Sequence, residues 1–409
     1  MKVLHISTGL AGAGMCAEKI HFSLIREGLD SRMLVLAKPK NENITICSPY
    51  IKKGMWNYLY RIVRKLFRTI HVPITEEDKF VLDGYKYQAY YSTPQVKLDI
   101  TSHPWVKWAD IIHLHWCNNF FDQPKFFKTI TDKPIVWTLH DENLFYGTAH
   151  YHDAVLKEDR LERKYYKLKH EMVSNAQNLS IVFLSQYFIN SFSYDKMLSG
   201  KKIFKINNPV DCSQFHICDR KTSRDKLVLP KDKKILLFVA TSITDRHKGL
   251  QALIDAVRRL ESDNLLIVAI GGKKGYVDAS SDNVKAVGKV YGSEKLSLYY
   301  SAADAYVLPS YQEAFSQSCI ESLSCGTPVV AFPVGVCVDC IKEQNGYLCK
   351  DYSVEELAYG IDNVLSRQFN RQSIRSLVDG KFDSSTIAKQ YVKMYESVLA
   401  EVNNQEDNS

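Results

Sequence analysis

Residues 308–336 have the sequence LPSYQEAFSQSCIESLSCGTPVVAFPVGV, and this stretch decides the fold. It follows an apolar run that predicts a strand over Ala305–Pro309, and it contains a predicted helix over Ser316–Cys325. A second apolar run, Pro328–Phe332, predicts another strand, and Gly326 marks the turn after the helix. Near-continuous apolar strands joined by a helix are typical of a parallel sheet that is covered on both faces.

The same alternation of strands and helices continues in both directions along the chain. The other predicted strands are Val3–Ser7, Arg32–Ala37, Ile111–His115, Ile135–His140, Ile181–Ser185, Ile203–Asn207, Ile235–Thr241, Leu265–Gly271 and Val284–Val290. The predicted helices include Met15–Arg26, Lys167–Gln177, Leu250–Leu260, Glu294–Ala302 and Thr386–Val398. A chain of 409 residues is long enough for two such domains. The pattern predicts a doubly wound α/β fold, repeated twice.

A change of composition near residue 207 divides the chain. Asn207-Asn208-Pro209-Val210-Asp211 contains turn formers and a proline, which predicts a hinge. The predicted segments are an N-terminal Rossmann-like domain over 1–207, a C-terminal Rossmann-like domain over 208–383, a helix over 384–402 that crosses back to the first domain, and a disordered tail over 403–409. Two such domains are expected to leave a cleft at the carboxyl ends of their strands, where ligands of open α/β sheets bind.

Composition narrows the class of protein. Hydrophobic residues make up 45% and charged residues 24%, values that are typical of soluble globular proteins. The net charge of +7 suits an anionic partner, although phosphate-bearing substrates, anionic lipid and nucleic acid all fit that description. The basic residues lack aromatic stacking strands, so nucleic-acid binding is not expected. The start of the chain does not resemble a signal peptide, and the apolar runs are too short for a membrane-spanning helix. The ten cysteines are scattered, as in reduced cytosolic proteins. We therefore expect a cytoplasmic protein.

Two short motifs resemble halves of metal sites. Cys337 and Cys340 form one CxxC, and His113 and His115 form one HxH. Neither motif has a second pair at the spacing of a zinc site. We therefore expect neither a metal nor another cofactor.

Two glutamates flank the start of the predicted helix within residues 308–336. Glu313 precedes the helix, whereas Glu321 lies more than one turn inside it. The backbone N–H groups around Phe315, Ser316 and Gln317 form a helix N-terminus, whose partial positive charge suits a diphosphate. The alternative is an exposed amphipathic helix with solvated glutamates.

The quoted stretch resembles the signature region of retaining GT-B glycosyltransferases, the glycosyl transferases group 1 (family 4-like) type with an E-x7-E element. The resemblance extends over nearly the whole chain. It implies two Rossmann-like domains that face each other across a cleft. It also implies that Glu313 binds donor-sugar hydroxyls and that Glu321 binds the ribose hydroxyls.

The resemblance extends to residues 240–250, ATSITDRHKGL, after the first strand of the second domain. The family places a lysine here and an arginine five residues earlier, against the donor diphosphate. Lys248 matches the lysine, but Ile243 stands at the arginine position, so we assign the missing charge to Arg246. Fixed cations would stabilise the negative charge that accumulates on a leaving diphosphate. A basic solvated loop is the alternative. We also assign Phe315, Ser316, Gln317 and Val290 to donor binding.

In the first domain, a glycine-rich turn follows the first predicted strand, with Gly9, Gly12 and Gly14 in STGLAGAG. Such turns also occur in dehydrogenases, but VLAK at residues 35–38 lacks the carboxylate that binds the ribose of NAD. We therefore assign Gly12 and Gly14 to an acceptor or phosphate loop.

His140 and Asp141 stand at the end of another predicted strand. The resemblance implies that a histidine at this strand end faces the donor sugar and the acceptor. We assign His140 to catalysis and Asp141 to the acceptor or phosphate region. His113 and His115 fit a structural role as well as a functional one, and His150 and His152 are candidates for lining the acceptor site.

Residues 52–68, KKGMWNYLYRIVRKLFR, combine apolar residues at helical spacing with basic residues and Trp56. A basic amphipathic helix of this kind is typical of binding to a membrane surface. The alternative is that its apolar side packs on the first domain.

Together these features predict a metal-independent retaining hexosyltransferase with Glu313, His140 and Lys248 as catalytic residues. The expected donor is a nucleotide-sugar, and the expected acceptor is a saccharide or a polyprenyl-diphosphate-linked sugar in surface polysaccharide synthesis. The expected location is the cytoplasm, with peripheral binding to the inner face of an anionic membrane. The alternatives are a nucleotide-sugar hydrolase or epimerase of the same fold and a non-catalytic nucleotide-binding subunit.

Overall fold

The computed structural model describes residues 1–10, 12–36, 46–47, 91–152, 160–272 and 283–406. The chain forms two compact units. The first consists of Met1–Phe183, Ser191–Ile206 and Ala388–Ser409, and the second of Leu184–Asn190 and Asn207–Ile387. The basic segment 52–68, which the sequence predicts to be a membrane-binding helix, lies outside the described residues.

The strands of the first unit are β1 (Lys2–Ser7), β2 (Asp30–Val35), β3 (Ile46–Cys47), β4 (Ile111–Leu114), β5 (Ile135–Thr138), β6 (Leu179–Phe183) and β7 (Lys202–Lys205). Those of the second unit are β8 (Lys234–Ser242), β9 (Leu265–Gly272), β10 (Val284–Gly288), β11 (Ala305–Leu308), β12 (Val329–Ala331) and β13 (Gly346–Leu348). The pairs between neighbouring strands are parallel.

The helices of the first part of the chain are α1 (Ala13–Arg26), α2 (Pro104–Trp108), α3 (Gln123–Thr129), α4 (Arg160–Asn175) and α5 (Gln186–Phe192). They are followed by α6 (Arg220–Leu227), α7 (Leu250–Arg259), α8 (Ser293–Ala302), α9 (Gln317–Ser324), α10 (Cys337–Cys340), α11 (Val354–Leu365), α12 (Arg371–Ser376) and α13 (Ser384–Glu406).

Both sheets have the doubly wound strand order. The first sheet runs β3-β2-β1-β4-β5-β6-β7 and the second β10-β9-β8-β11-β12-β13. In each sheet the order reverses beside the first strand, between β1 and β4 and between β8 and β11. This topological switch point is where open α/β sheets bind ligands. The predicted two-domain α/β fold is therefore confirmed.

The second sheet has a separate apolar core on each face. Alternate residues of one strand contribute to different cores, because side chains in a strand point to opposite faces. Leu237 and Tyr306 belong to one core, while Phe238 and Val307 belong to the other. This double burial explains why the strands are near-continuous apolar runs.

The C-terminal helix α13 packs on the first unit from Ala388 onward. The residues that helical spacing predicts to share one side are all buried: Ile387, Tyr391, Met394, Tyr395 and Val398. Tyr391 and Tyr395 also make hydrogen bonds with residues of the first sheet. The helix continues to Glu406. The predicted disordered tail is therefore wrong for residues 403–406, which continue the helix.

Sequence periodicity missed the shortest strands and shifted several strand ends. β3 has two residues and β13 has three, which is too few for a pattern of period two to be recognised. β5 ends at Thr138 and β10 ends at Gly288, two residues before the predicted ends at His140 and Val290. Both predicted site residues therefore lie in loops that follow a strand.

Candidate active site

The switch point of the second unit brings together the loops that follow β8 and β11. The backbone N–H of Tyr311 donates a hydrogen bond to the carbonyl of His247 over 2.9 Å. Lys248 Nζ then lies 2.7 Å from Glu313 Oε1, and the two side chains are 25% and 15% exposed. Two of the residues predicted to be catalytic, 65 positions apart in the sequence, thus form a half-buried ion pair.

Two glycines allow the close backbone contacts that hold this pair. Gly249 has φ +73°, and a Cβ there would lie 1.9 Å from the carbonyl oxygen of Pro309. Gly335 has φ +51°, and its Cβ would lie 2.5 Å from the carbonyl oxygen of Phe315. Larger residues would push the loops apart, because both positions combine a left-handed backbone with a steric clash.

Lys248 ends a short 3₁₀ turn, Arg246–Lys248, in which the backbone N–H of His247 donates to the side chain of the N-cap residue Asp245. Arg246 is exposed on this turn. Ile243, which occupies the position where the family resemblance implies an arginine, is buried in the core. The cation implied by the resemblance is therefore absent from position 243, and Arg246 is the exposed cation of the same turn.

The start of α9 carries two unsatisfied polar groups next to Glu313. Ser316, its N-cap residue, has φ +83° and makes no side-chain capping hydrogen bond in the described structure. Its Oγ is buried and lacks a hydrogen-bond partner among the described residues, as does Oε1 of Gln312. Buried polar atoms are normally hydrogen-bonded, and strained backbone is concentrated at functional sites. Both features are those expected of a site that is completed by a polar ligand.

The other predicted donor-site residues differ in what they offer. Glu321 accepts a hydrogen bond from the hydroxyl of Tyr300 over 2.9 Å, which fixes the carboxylate on the flank of α9. Gln317 is the first residue of that helix. The side chain of Phe315 is buried in the apolar core, so only its backbone can contact a ligand. Val290 is half-buried against the same core.

The first unit has a pocket at the carboxyl ends of β4 and β5. Its lining includes His115, Trp116, Asn118, Gln123, His140, Asp141, Asn143 and Lys169. Asp141 accepts hydrogen bonds from Trp116 Nε1 over 2.6 Å and from His150 Nδ1 over 2.7 Å. His140 Nε2 lies 3.2 Å from His115 Nδ1. The predicted residues His140 and Asp141 therefore lie in one pocket.

The surroundings of His140 and Asp141 determine the pKa of each. Burial lowers the pKa of His140 to about 4, although the charge of Asp141 opposes the shift. Burial would raise the pKa of Asp141, but the contact with His150 and the hydrogen bond from Trp116 together bring it below its usual value. At neutral pH the pocket thus contains a neutral imidazole beside a carboxylate.

Sequence analysis missed Lys169, which reaches this pocket from α4. Its Nζ donates to the carbonyl oxygen of Asn143 over 2.6 Å and to that of Tyr146 over 2.9 Å, and burial lowers its pKa to about 7. Helical spacing could have indicated Lys169, because it places this lysine on the same side of α4 as apolar residues. The buried residues of α4 are Leu161, Glu162, Tyr165, Lys169, Met172 and Val173. A lysine within a buried helical face is a candidate functional residue.

The predicted glycine-rich loop precedes α1. Gly12 has φ +57°, and a Cβ on Gly14 would lie 1.7 Å from the carbonyl oxygen of Gly9. Close packing of the helix on the loop therefore explains the glycine at position 14. The assignment of both glycines to an acceptor or phosphate loop stays a prediction.

The HxH motif has a partner that its spacing did not reveal. His5, from β1, places Nδ1 2.9 Å from Nε2 of His115. His113 is fully buried and contacts the hydroxyls of Tyr395 and Thr138. One ring nitrogen from each of His5, His113 and His115 lies within 4.8 Å of the others. Such a group has the composition of a metal site, although five of its six ring nitrogens already take part in hydrogen bonds.

Residues 219–376, which include the Lys248–Glu313 pair, match the family model for glycosyl transferases group 1. The chain is also 26% identical over 311 residues to an uncharacterized glycosyltransferase of Methanocaldococcus jannaschii. The aligned region covers 71% of this chain and 76% of that protein.

Solved structures share the fold over almost the full length. A sucrose-phosphate synthase from Thermosynechococcus elongatus has a TM-score of 0.69 and 18% identity, with 98% of this chain and 100% of that chain covered. HepE from Anabaena, solved in complex with UDP, has a TM-score of 0.62 and 16% identity, with 97% and 100% covered. At these identities the likeness establishes the GT-B fold. Within the described residues, every helix is too short or too polar to cross a bilayer.

Proposed function

We propose that the protein is a retaining hexosyltransferase that uses a nucleotide-sugar donor. The observation that carries the proposal is the Lys248–Glu313 ion pair at the switch point of the second sheet, within the residues that match the group 1 family model. The unsatisfied Oγ of Ser316 and Oε1 of Gln312 support it, because sugar hydroxyls and phosphate oxygens are suitable partners for both.

Each donor-site residue has a distinct task in this proposal. Lys248 and Arg246 stabilise the diphosphate as it gains charge, together with the N-terminus of α9. Glu313 orients hydroxyls of the hexose, and the ion pair with Lys248 holds its carboxylate in place. Glu321 binds the ribose hydroxyls, and the hydrogen bond from Tyr300 holds its carboxylate on the flank of α9.

The proposed transfer has a complete balance of atoms without a protein nucleophile. The bond between the anomeric carbon and the diphosphate oxygen breaks, and a bond to the acceptor hydroxyl forms on the same face. The proton of that hydroxyl passes to an oxygen of the departing diphosphate. The group 1 resemblance supports this front-face path, in which a metal ion is not required.

The pocket of the first unit is the proposed acceptor-binding region. His140 and Asp141 supply a neutral imidazole and a carboxylate for hydroxyl groups, and Lys169 lines the same pocket. We propose a saccharide acceptor, carried by a polyprenyl diphosphate at an anionic membrane surface.

The basic residues within 52–68 support this location, since each cation near such a surface contributes about 1 kcal/mol. Changing Arg61, Arg64, Lys65 and Arg68 to glutamate should abolish co-sedimentation with anionic vesicles; unchanged co-sedimentation would remove the membrane from the proposal.

The donor is tested first by its effect on thermal stability. UDP-, GDP-, dTDP- and ADP-sugars would be compared, because a ligand of the native state at a hundred times its Kd stabilises the protein by about 2.7 kcal/mol. UDP-sugars are the first choice, since HepE, which shares the fold, was solved with UDP. The variant Lys248→Ala serves as the control that should lose the shift.

Product analysis separates the proposal from its rivals. A transferase releases nucleotide diphosphate only in proportion to the acceptor supplied. A hydrolase or epimerase of this fold would convert the donor without an acceptor, and a nucleotide-binding subunit would show the thermal shift without turnover.

A further inference from the structure

A row of hydrogen-bonded histidines leads from the core of the first unit to its pocket. His5 Nδ1 lies 2.9 Å from His115 Nε2, and His115 Nδ1 lies 3.2 Å from His140 Nε2. His5 and His115 are fully buried, whereas His140 is partly buried and lines the pocket. The remaining nitrogen of His5, Nε2, is buried and has no hydrogen-bond partner among the described residues.

All three imidazoles are neutral near pH 7. Burial holds the pKa of His5 and of His115 well below the usual value, and neighbouring histidines lower both further. A neutral imidazole carries one N–H and one acceptor nitrogen. The two hydrogen bonds of the row must therefore run in the same direction, because a ring that receives at one nitrogen donates from the other.

The unpaired nitrogen of His5 decides between the two directions. If His140 donated to His115, then His115 would donate to His5. The hydrogen of His5 would then lie on Nε2, which has no partner in the part of the chain that the structure describes. In the opposite direction His5 donates from Nδ1, and its buried Nε2 is a bare acceptor. Buried N–H groups without partners are rarer in folded proteins than under-satisfied acceptors. The row therefore runs from His5 through His115 to His140.

We propose that His5 and His115 are positioning residues that hold His140 in the tautomer with its hydrogen on Nδ1. His140 Nε2 is then occupied as an acceptor, so it does not serve as a general base. Its Nδ1–H donates to an oxygen of the bound acceptor. This inference rests on the proposed function only for the identity of that ligand, because the tautomer is a property of the free protein.

Other titratable groups surround the row. His113 and His21 face His5, and each is uncharged because burial lowers its pKa. Tyr391 and Tyr395 of α13 lie against His113, and burial raises the pKa of both. Asp141 is the charged neighbour of His140. These neighbours leave the three rings neutral over the pH range of an ordinary activity assay.

Nuclear magnetic resonance of ¹⁵N-labelled protein tests the tautomer directly. Two-bond ¹H–¹⁵N correlations show which ring nitrogen carries the hydrogen, and His140→Gln assigns the signals of that ring. The expected result is Nδ1–H on His140 and Nδ1–H on His115. Nε2–H on His140 in the folded parent protein would overturn the proposal.

Two substitutions at one position test the positioning role. In His115→Asn the side-chain amide nitrogen replaces Nδ1 and still donates to His140. In His115→Gln the end of the amide takes the place of Nε2, where its oxygen accepts from His5, so the variant has no donor for His140. Both variants lose the imidazole, and both should bind the donor as the parent does, since the donor residues belong to the second unit.

The two variants should differ in kcat. We expect His115→Gln to lose about tenfold, the equivalent of roughly one net hydrogen bond, and His115→Asn to recover most of that loss. Equal kcat values would overturn the positioning role. If His115→Gln does not fold, the matched pair His5→Asn and His5→Gln tests the inner link in the same way. One equivalent of zinc bound through His5 and His115 in the purified protein would also overturn it.

Discussion

Acidification should destabilise the first unit through its buried histidines. His5, His21, His113 and His115 are fully buried, and burial lowers the pKa of each. In the unfolded chain their pKa is about 6.5, so the unfolded state binds protons there while the native state does not. The contribution of these histidines to the free energy of unfolding is therefore fully present above about pH 6.5 and is lost as the pH falls below that value.

The magnitude follows from proton linkage. At pH 5.5, one unit below the unfolded pKa, each such histidine lowers the free energy of unfolding by about 1.4 kcal/mol. Four together lower it by about 5–6 kcal/mol relative to pH 7.5. That loss is comparable with the whole stability of an ordinary domain, about 5–15 kcal/mol.

Tryptophan fluorescence during urea unfolding is a suitable assay, because all five tryptophans of the sequence fall within Met1–Phe183 of the first unit. His21→Asn removes one titrating ring and keeps an amide near Ser31, which His21 contacts over 2.8 Å. This variant should lose about a quarter of the pH effect, whereas the exposed control His152→Asn should lose none. An unfolding midpoint that is the same at pH 7.5 and 5.5 would refute the reasoning.

Three further predictions concern the donor site. Glu313→Gln should reduce kcat at least ~100-fold, because an amide cannot replace the charged partner of Lys248. The thermal midpoint of the free protein should stay nearly unchanged, and near-normal turnover would remove Glu313 from the site. Lys248→Ala should lower kcat/KM by at least about 2.7 kcal/mol of transition-state stabilisation, and Arg246→Ala, measured beside it, shows whether the second cation of the turn contributes. Activity should survive EDTA; complete loss that Mg²⁺ restores would contradict a metal-independent reaction.

The fold was predictable from sequence because its strands are buried on both faces. That burial makes each strand an apolar run, as in β4 and β5, and the runs alone indicate a parallel sheet. Helical spacing also predicted the buried side of α13, from Ile387 to Val398. Strand ends were less predictable, because a loop residue such as His140 continues the composition of its strand.

Site residues that lie within one sequence motif were predictable. Contacts that depend on the pairing of strands in the sheet were not. Glu313 and Lys248 each stand in a recognisable stretch of the second unit. The contact between His5 and His115 depends on the pairing of β1 with β4, which joins residues 110 apart in the sequence. Strand order is not encoded in local periodicity, so this contact required the structure. The burial of Ile243 likewise depends on how the loop after β8 folds over the second core.

The most direct test of the central claim is acceptor-dependent transfer followed by ¹H nuclear magnetic resonance of the product's anomeric centre. With the nucleotide-sugar that gives the largest thermal shift and a saccharide acceptor, the account predicts release of nucleotide diphosphate in equal amount to product, with the anomeric configuration of the donor retained. Product of inverted configuration, or donor consumption that is independent of the acceptor, would contradict it.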